Sequence, residues 1–271
     1  MVPINQTLVD KVIAEIKAEA SNYKITDRNL QKFQTSPMDQ ECLSYVNGNG
    51  GFYCKFLALL IQKLEIKNVL ELGNREGLST LCMYNALPQD GTFTSIDIIK
   101  DLRYCPDEMF SDSRVNFIYG DVSDLSIFKN NYPFNTELLF TDTIHFDYQL
   151  RNEYSIYQNF LADSALLAID DINVNDKRKL FDELPFPKWD LTEFCHFGGW
   201  GLVLFERKQA MDEKEKLGNA YRASADIWRE TAQKLQSKVD NSLLVKTKRN
   251  MRLFLHSHPR LHTASLFLRG K

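Results

Sequence analysis

Val9, Val12, Ile13 and Ile16 recur at three- and four-residue spacing near the start of the chain, which predicts an amphipathic helix with Thr7 as its N-cap. A polar, Asn/Gly-rich stretch runs from Asn22 to Gly51, and Phe56, Leu57, Leu60 and Leu64 then mark a second helix. From Asn68 the rhythm changes. Short apolar runs at 68–72, 92–97, 115–119, 137–142, 165–170, 190–195 and 200–206 alternate with helical segments. Continuous apolar strands separated by helices predict a parallel sheet covered on both faces. Only HFGGWG joins the last two runs; that is too short for a crossover helix, so they are expected to pair antiparallel. Beyond Arg207, Leu217, Tyr221, Ser224, Trp228, Thr231 and Leu235 form a weak heptad. The expected division is an N-terminal helical segment (1–50), a sheet domain (51–207) and a helical, basic extension (208–271) that packs on the domain or on a second copy of the chain.

Composition adds constraints. With 44% apolar and 25% charged residues among 271, there is ample material for a core. No run of 18 apolar residues occurs, so no membrane span is expected. The N-terminus lacks a basic start followed by an apolar block, which argues for a cytoplasmic protein. Cysteines at 42, 54, 82, 105 and 195 include no Cys-x-x-Cys pair and read as reduced side chains rather than a disulfide framework or zinc site. Residues 238–271 hold eight Lys/Arg against one acid, Asp240, so a tail of +7 sits on a body of −10. That asymmetry suggests an anionic partner or anionic membrane surface for the tail.

Candidate chemistry begins at VLELGNREGLSTL, residues 69–81, which reads as strand, glycine turn and helix. Gly73 permits a sharp turn and close ligand approach, Gly77 leaves room at the helix start, and Ser79 falls in the first helical turn. Asp97 ends the second strand, where a carboxylate can accept two ribose hydroxyls. Asp121 follows the third strand, where an adenine edge would lie. The glycine spacing is not G-x-G-x-x-G, which disfavours a dinucleotide-binding oxidoreductase.

These residues resemble the class I S-adenosylmethionine-dependent methyltransferases, and ELGNREGLST is similar to the first motif of their metal-dependent small-molecule O-methyltransferases. The resemblance runs from about Gly51 to Arg207. It implies a Rossmann-like α/β fold with strand order 3-2-1-4-5-7-6 and the seventh strand antiparallel. It also implies that Glu71, Gly73, Asn74, Gly77, Ser79, Asp97, Asp121 and Thr141 surround S-adenosylmethionine.

Ligands of doubly wound sheets bind at the carboxyl ends of the strands. Asp142 ends the fourth strand and Asp170 and Asp171 end the fifth. Three carboxylates at one rim repel each other, and a hard cation relieves the repulsion. An all-oxygen donor set favours Mg²⁺, with Mn²⁺ as a substitute. His145, three residues past Asp142, has a side chain suited to taking a proton near neutrality. This Asp-x-x-His followed by an acid pair resembles the sugar O-methyltransferases of macrolide biosynthesis and their cephalosporin-tailoring relatives. There the first Asp and the acid pair hold Mg²⁺ and the His is the base. Those members commonly carry Glu where Asp170 stands. The catechol-type branch differs, with a lysine base and an Asp-Asn pair.

The expected activity is thus Mg²⁺-dependent O-methylation of a hydroxyl on a sugar, glycan or glycosylated small molecule. His196 and Trp200 are candidates for the acceptor pocket. A nucleic-acid methyltransferase using the basic tail ranks lower, because TDTIHF lacks the Asn/Asp-Pro-Pro-aromatic turn of such enzymes. A non-catalytic cofactor-binding scaffold is the third reading. A homodimer through the C-terminal helices and peripheral membrane association through the tail are further expectations.

Overall fold

The computed structural model describes residues 4–25, 37–129 and 131–211. The chain lays down α1 (Gln6–Glu19), α2 (Pro37–Asn47), α3 (Tyr53–Leu64), β1 (Asn68–Leu72), α4 (Leu78–Ala86), β2 (Thr92–Asp97), α5 (Asp107–Ser111) and β3 (Val115–Tyr119). A short 3₁₀ turn (Leu125–Phe128) precedes β4 (Thr136–Thr141), α6 (Asp147–Tyr157), β5 (Leu161–Asp170), α7 (Arg178–Glu183), β6 (Lys188–Asp190), α8 (Thr192–Cys195) and β7 (Trp200–Glu206). The seven strands form one sheet in the order β3-β2-β1-β4-β5-β7-β6, as the family resemblance implies. Strands β1 to β5 pair in parallel, and β7 runs antiparallel to both β5 and β6.

Two apolar layers cover the sheet. On one face α1, α3 and α4 bury Val9, Ile16, Leu57, Leu60 and Met83 against Val69, Phe140 and Leu166. On the other, Leu150, Tyr157 and Phe181 from α6 and α7 pack on Leu70, Leu139 and Leu167. Alternate residues of one strand thus feed opposite layers, as the two-residue strand period requires. Each large apolar side chain removed from water stabilises by about 1.5–3 kcal/mol.

Three local expectations need correction. The N-cap of α1 is Asn5, whose side chain accepts from Leu8 N at 3.0 Å; Thr7 lies inside the first turn. Asn is as good a cap as Thr, and capping preference alone does not choose between them. The sixth strand occupies Lys188–Asp190 rather than 190–195, because the chain turns at Leu191 into α8. Asp190 Oδ1 accepts from Thr192 N at 3.0 Å, a local side-chain bond that competes with strand pairing. The polar stretch 22–51 also contains α2, which the pattern did not predict. The expected heptad, dimer contact and membrane contact of the extension fall at 212–271, outside the described residues. Among the described residues, no helix is long and apolar enough to cross a membrane.

Candidate active site

Strand register builds the site. Leu72 of β1 lies opposite Thr141 of β4, and Thr141 lies opposite Ile169 of β5. The next residues, Gly73, Asp142 and Asp170, therefore emerge at the same edge. A cleft of about 830 Å³ opens there.

The cofactor-side turn is fixed by backbone bonds to Asp97. Its Oδ2 accepts from the amides of Asn74 and Arg75, both at 2.8 Å, and its Oδ1 accepts from Ile99 N at 2.7 Å. Gly73 has φ +86°, a conformation that L side chains rarely adopt. Of the residues expected around the cofactor, Gly73, Asn74, Ser79, Asp97 and Asp121 line the cleft. Glu71, Gly77 and Thr141 lie behind its wall. Glu71 is fully buried and accepts hydroxyl bonds from Ser79 (2.5 Å), Thr80 (2.6 Å) and Ser95 (2.7 Å). Burial outweighs those three donors and pushes its carboxyl up to about 7. Its position suits holding the turn from below. Gly77, at φ +87°, packs against Cys105, whose Sγ would stand 2.6 Å from an added Cβ. Thr141 Oγ1 donates to Glu153 Oε2 at 2.6 Å.

Glu153 is a residue that the sequence pattern did not single out. It is buried on α6 and also accepts from Thr143 at 2.5 Å and Gln149 at 2.8 Å. It thereby ties the loop carrying Asp142 and His145 to α6. Burial raises its pKa against the pull of these donors.

On the chemical side, Asp142, His145, Asp170 and Asp171 all line the cleft. Burial, and next the charge of Asp170, push the Asp142 carboxyl well above the usual carboxylate range. His145 Nδ1 stands 2.9 Å from Asp171 Oδ2. That nitrogen is sealed from solvent and lacks an aligned hydrogen-bond partner. His196 Nε2 lies 2.6 Å from Asp170 Oδ1. Burial alone would raise Asp171, but the contact with His145 and the charges of His145, His196 and Lys177 outweigh it and lower its pKa. For His196, burial is the largest influence and lowers its pKa, yet Asp170 and Asp171 together raise it above the ordinary imidazole value.

The structure also reveals Lys177, which no motif announced. Only 1% exposed, it donates from Nζ to the backbone carbonyl of Asp170. Its charge opposes the upward shifts of both Asp142 and Glu153. A buried ammonium thus offsets some of the carboxylate repulsion beneath the rim.

The donor set suits a dication. Among the described residues, Asp170, Asp171 and His196 offer ligand atoms all within 4.8 Å of one another. Asp142 lies against Asp170 but outside that tight set, so two of the three expected carboxylates belong to it. The unmatched Nδ1 of His145 borders the same group.

Comparison with known proteins identifies the family. A profile of the O-methyltransferase family matches residues 39–182, just over half of the chain. The chain therefore belongs to the O-methyltransferase family. An Arabidopsis thaliana protein named as a caffeoyl-CoA O-methyltransferase is 37% identical over 70 residues, covering 24% of this chain and 30% of that protein. A Dictyostelium discoideum protein named as caffeoyl-CoA O-methyltransferase 3 is 23% identical over 172 residues, 60% of this chain and 66% of its own. The chain thus spans less than two thirds of the length of either curated relative. A crystal structure from Corynebacterium glutamicum shares the fold at TM-score 0.50 and 13% identity, covering 72% of this chain and 97% of that one.

Proposed function

We propose that the protein is an S-adenosylmethionine-dependent O-methyltransferase acting on a hydroxyl group, with a divalent cation at the acidic rim. The observation that carries the reading is one cleft in which the Gly73–Asp97 turn faces Asp142, His145, Asp170 and Asp171. S-adenosylmethionine supplies an electrophilic methyl group when bound. Asp97 and Asp121 are the groups suited to its ribose and base, with the Gly73–Asn74 backbone close enough for direct approach. Asp142, Asp170 and Asp171 would hold Mg²⁺ or Mn²⁺, whose charge lowers the pKa of a bound hydroxyl. His145 is positioned to take the acceptor proton. Asp171 Oδ2 lies 2.9 Å from His145 Nδ1 without an aligned hydrogen bond, and Nε2 is the nitrogen left to act as base.

The preferred acceptor is a sugar, glycan or glycosylated small molecule, as the Asp-x-x-His pattern suggests. The polar groups of His145, Gln149 and His196 beside Tyr45 and Tyr53 in the lining suit hydroxyls and a C–H face together. A phenolic acceptor is the second reading, favoured by the names of the two curated relatives. The test is calorimetry with S-adenosylmethionine, followed by methyl transfer to glycan and phenolic panels with Mg²⁺ or EDTA. Cofactor binding with cation-dependent transfer to a glycan is expected. Absence of cofactor binding overturns the whole reading; activity indifferent to EDTA overturns the cation alone; transfer confined to phenols replaces the acceptor.

A further inference from the structure

The loop between α8 and β7, residues 196–199, carries a role beyond linking them. His196 opens it, and the surrounding chain is shaped to hold that ring beside the acid pair. Gly51, at φ +125°, lies so close that an added Cβ would stand 1.6 Å from the Cys195 carbonyl oxygen. Phe52 N donates to Phe194 O at 3.2 Å, and their rings stack at 5.0 Å. From the other side, Asn173 N donates to Gly198 O at 3.0 Å and Ile172 N to Gly199 O at 3.2 Å. These bonds tie the loop directly to the segment after Asp171. A Cβ on Gly198 would lie 2.0 Å from Asp171 Oδ1 and 3.2 Å from the His196 ring, so the glycine keeps open the space beside these two groups. Tyr53 and Tyr45 meet the imidazole edge-on, with centroids at 5.5 and 6.2 Å, and the His196 side chain is only 8% exposed.

The three side chains are close enough to share one cation. Asp170, Asp171 and His196 each offer one ligand atom, and these atoms all lie within 4.8 Å of one another. His196 Nε2, 2.6 Å from Asp170 Oδ1, would exchange that hydrogen bond for the ion. We propose that His196 is a nitrogen ligand of the cation, completing a site with Asp170 and Asp171, and that the site selects Mn²⁺ over Mg²⁺. This rests on the cation in the proposed function and deepens that reading. Imidazole suits transition metals, whereas Mg²⁺ keeps to oxygen. A mixed nitrogen–oxygen set therefore favours Mn²⁺, with the order of affinity rising towards later divalent metals.

The experiment uses the full chain stripped of metal. Calorimetry compares MnCl₂ with MgCl₂, and pulsed electron paramagnetic resonance of the Mn²⁺-loaded protein reads nitrogen coupling. Mn²⁺ is expected to bind about tenfold or more tightly than Mg²⁺. A ¹⁴N modulation is expected in the wild type and in His145→Gln, and is expected to vanish in His196→Gln together with the preference for Mn²⁺. Absence of nitrogen coupling in the wild type overturns the proposal, as does coupling that survives His196→Gln. Equal affinity for the two ions also overturns it. The wild-type spectrum decides by itself should the variant fail to fold. Calorimetry with S-adenosylmethionine on the same preparations separates the two readings, because loss of cofactor binding would defeat methyl transfer without touching nitrogen coordination.

Discussion

A Cβ on Gly73 would lie 2.1 Å from the backbone carbonyl oxygen of Asp142, so the cofactor turn and the chemical rim touch through bare backbone. The same contact is bonded one step away, where Asp142 N donates to Leu72 O at 2.8 Å. Gly73→Ala must strain φ and at the same time push β1 and β4 away from each other. We expect a loss of more than about 2 kcal/mol in urea denaturation and no S-adenosylmethionine binding by calorimetry. A variant of wild-type stability would mean the strands separate freely at this edge.

Glu71 should make stability depend on pH in a defined window. Its folded pKa of about 7 is raised above the unfolded carboxylate value, so the native state binds the extra proton. Its contribution is fully present below about pH 4.5 and lost as pH rises through 7. The full change is on the order of 3 kcal/mol. Glu71→Gln should flatten the corresponding slope in denaturation midpoints between about pH 5 and 7.5. An unchanged slope would place the titration elsewhere.

His145→Gln should lower turnover by about 10²- to 10⁴-fold, with S-adenosylmethionine affinity unchanged. The kinetic split matters more than the loss. A parallel fall in cofactor affinity would assign His145 to the architecture of the loop, beside Thr143 and Glu153.

Removing the buried ammonium in Lys177→Met leaves the acids above it uncompensated. A loss of about 3–5 kcal/mol is expected at neutral pH, measured by chemical denaturation. The penalty should shrink as pH falls and Asp142 and Glu153, both raised by burial and opposed by the Lys177 charge, protonate. A penalty independent of pH would reduce Lys177 to its hydrogen bond with the Asp170 carbonyl.

The alternation of apolar strands and helices sufficed to predict a parallel sheet covered on both faces, because the period of burial is written locally. The strand order came from the family resemblance and agrees with the sheet. The antiparallel end also holds, although the connection is residues 191–199 with α8 inside it rather than HFGGWG alone. The bounds of β6 were not legible. Lys188–Asp190 is a three-residue strand, and the Asp190–Thr192 bond that ends it is one of several local choices open to those residues. At the site, Asp142 and the acid pair could be grouped from their place at strand ends. Glu71 and Thr141 share that neighbourhood but point to buried partners, a distinction set by the pleat and by hydroxyl donors on other elements. Glu153 and Lys177 were illegible for a related reason. Each is an ordinary charged residue in a helical or loop segment, and only the tertiary packing reveals that its partners lie on β4, β5 and the loop between β4 and α6.

The antiparallel pairing of β7 with β5 sets Trp200 opposite Asp170 and so returns the chain to the reactive edge from the reverse direction. His196 arrives by that route and lies outside the family-matched stretch 39–182. The nucleoside-facing turns and the hairpin loop are thus separate stretches of chain that meet only in space. On the proposed assignments, substitutions in the loop would change acceptor choice or metal preference while leaving the Gly73–Asp97 turn as it is.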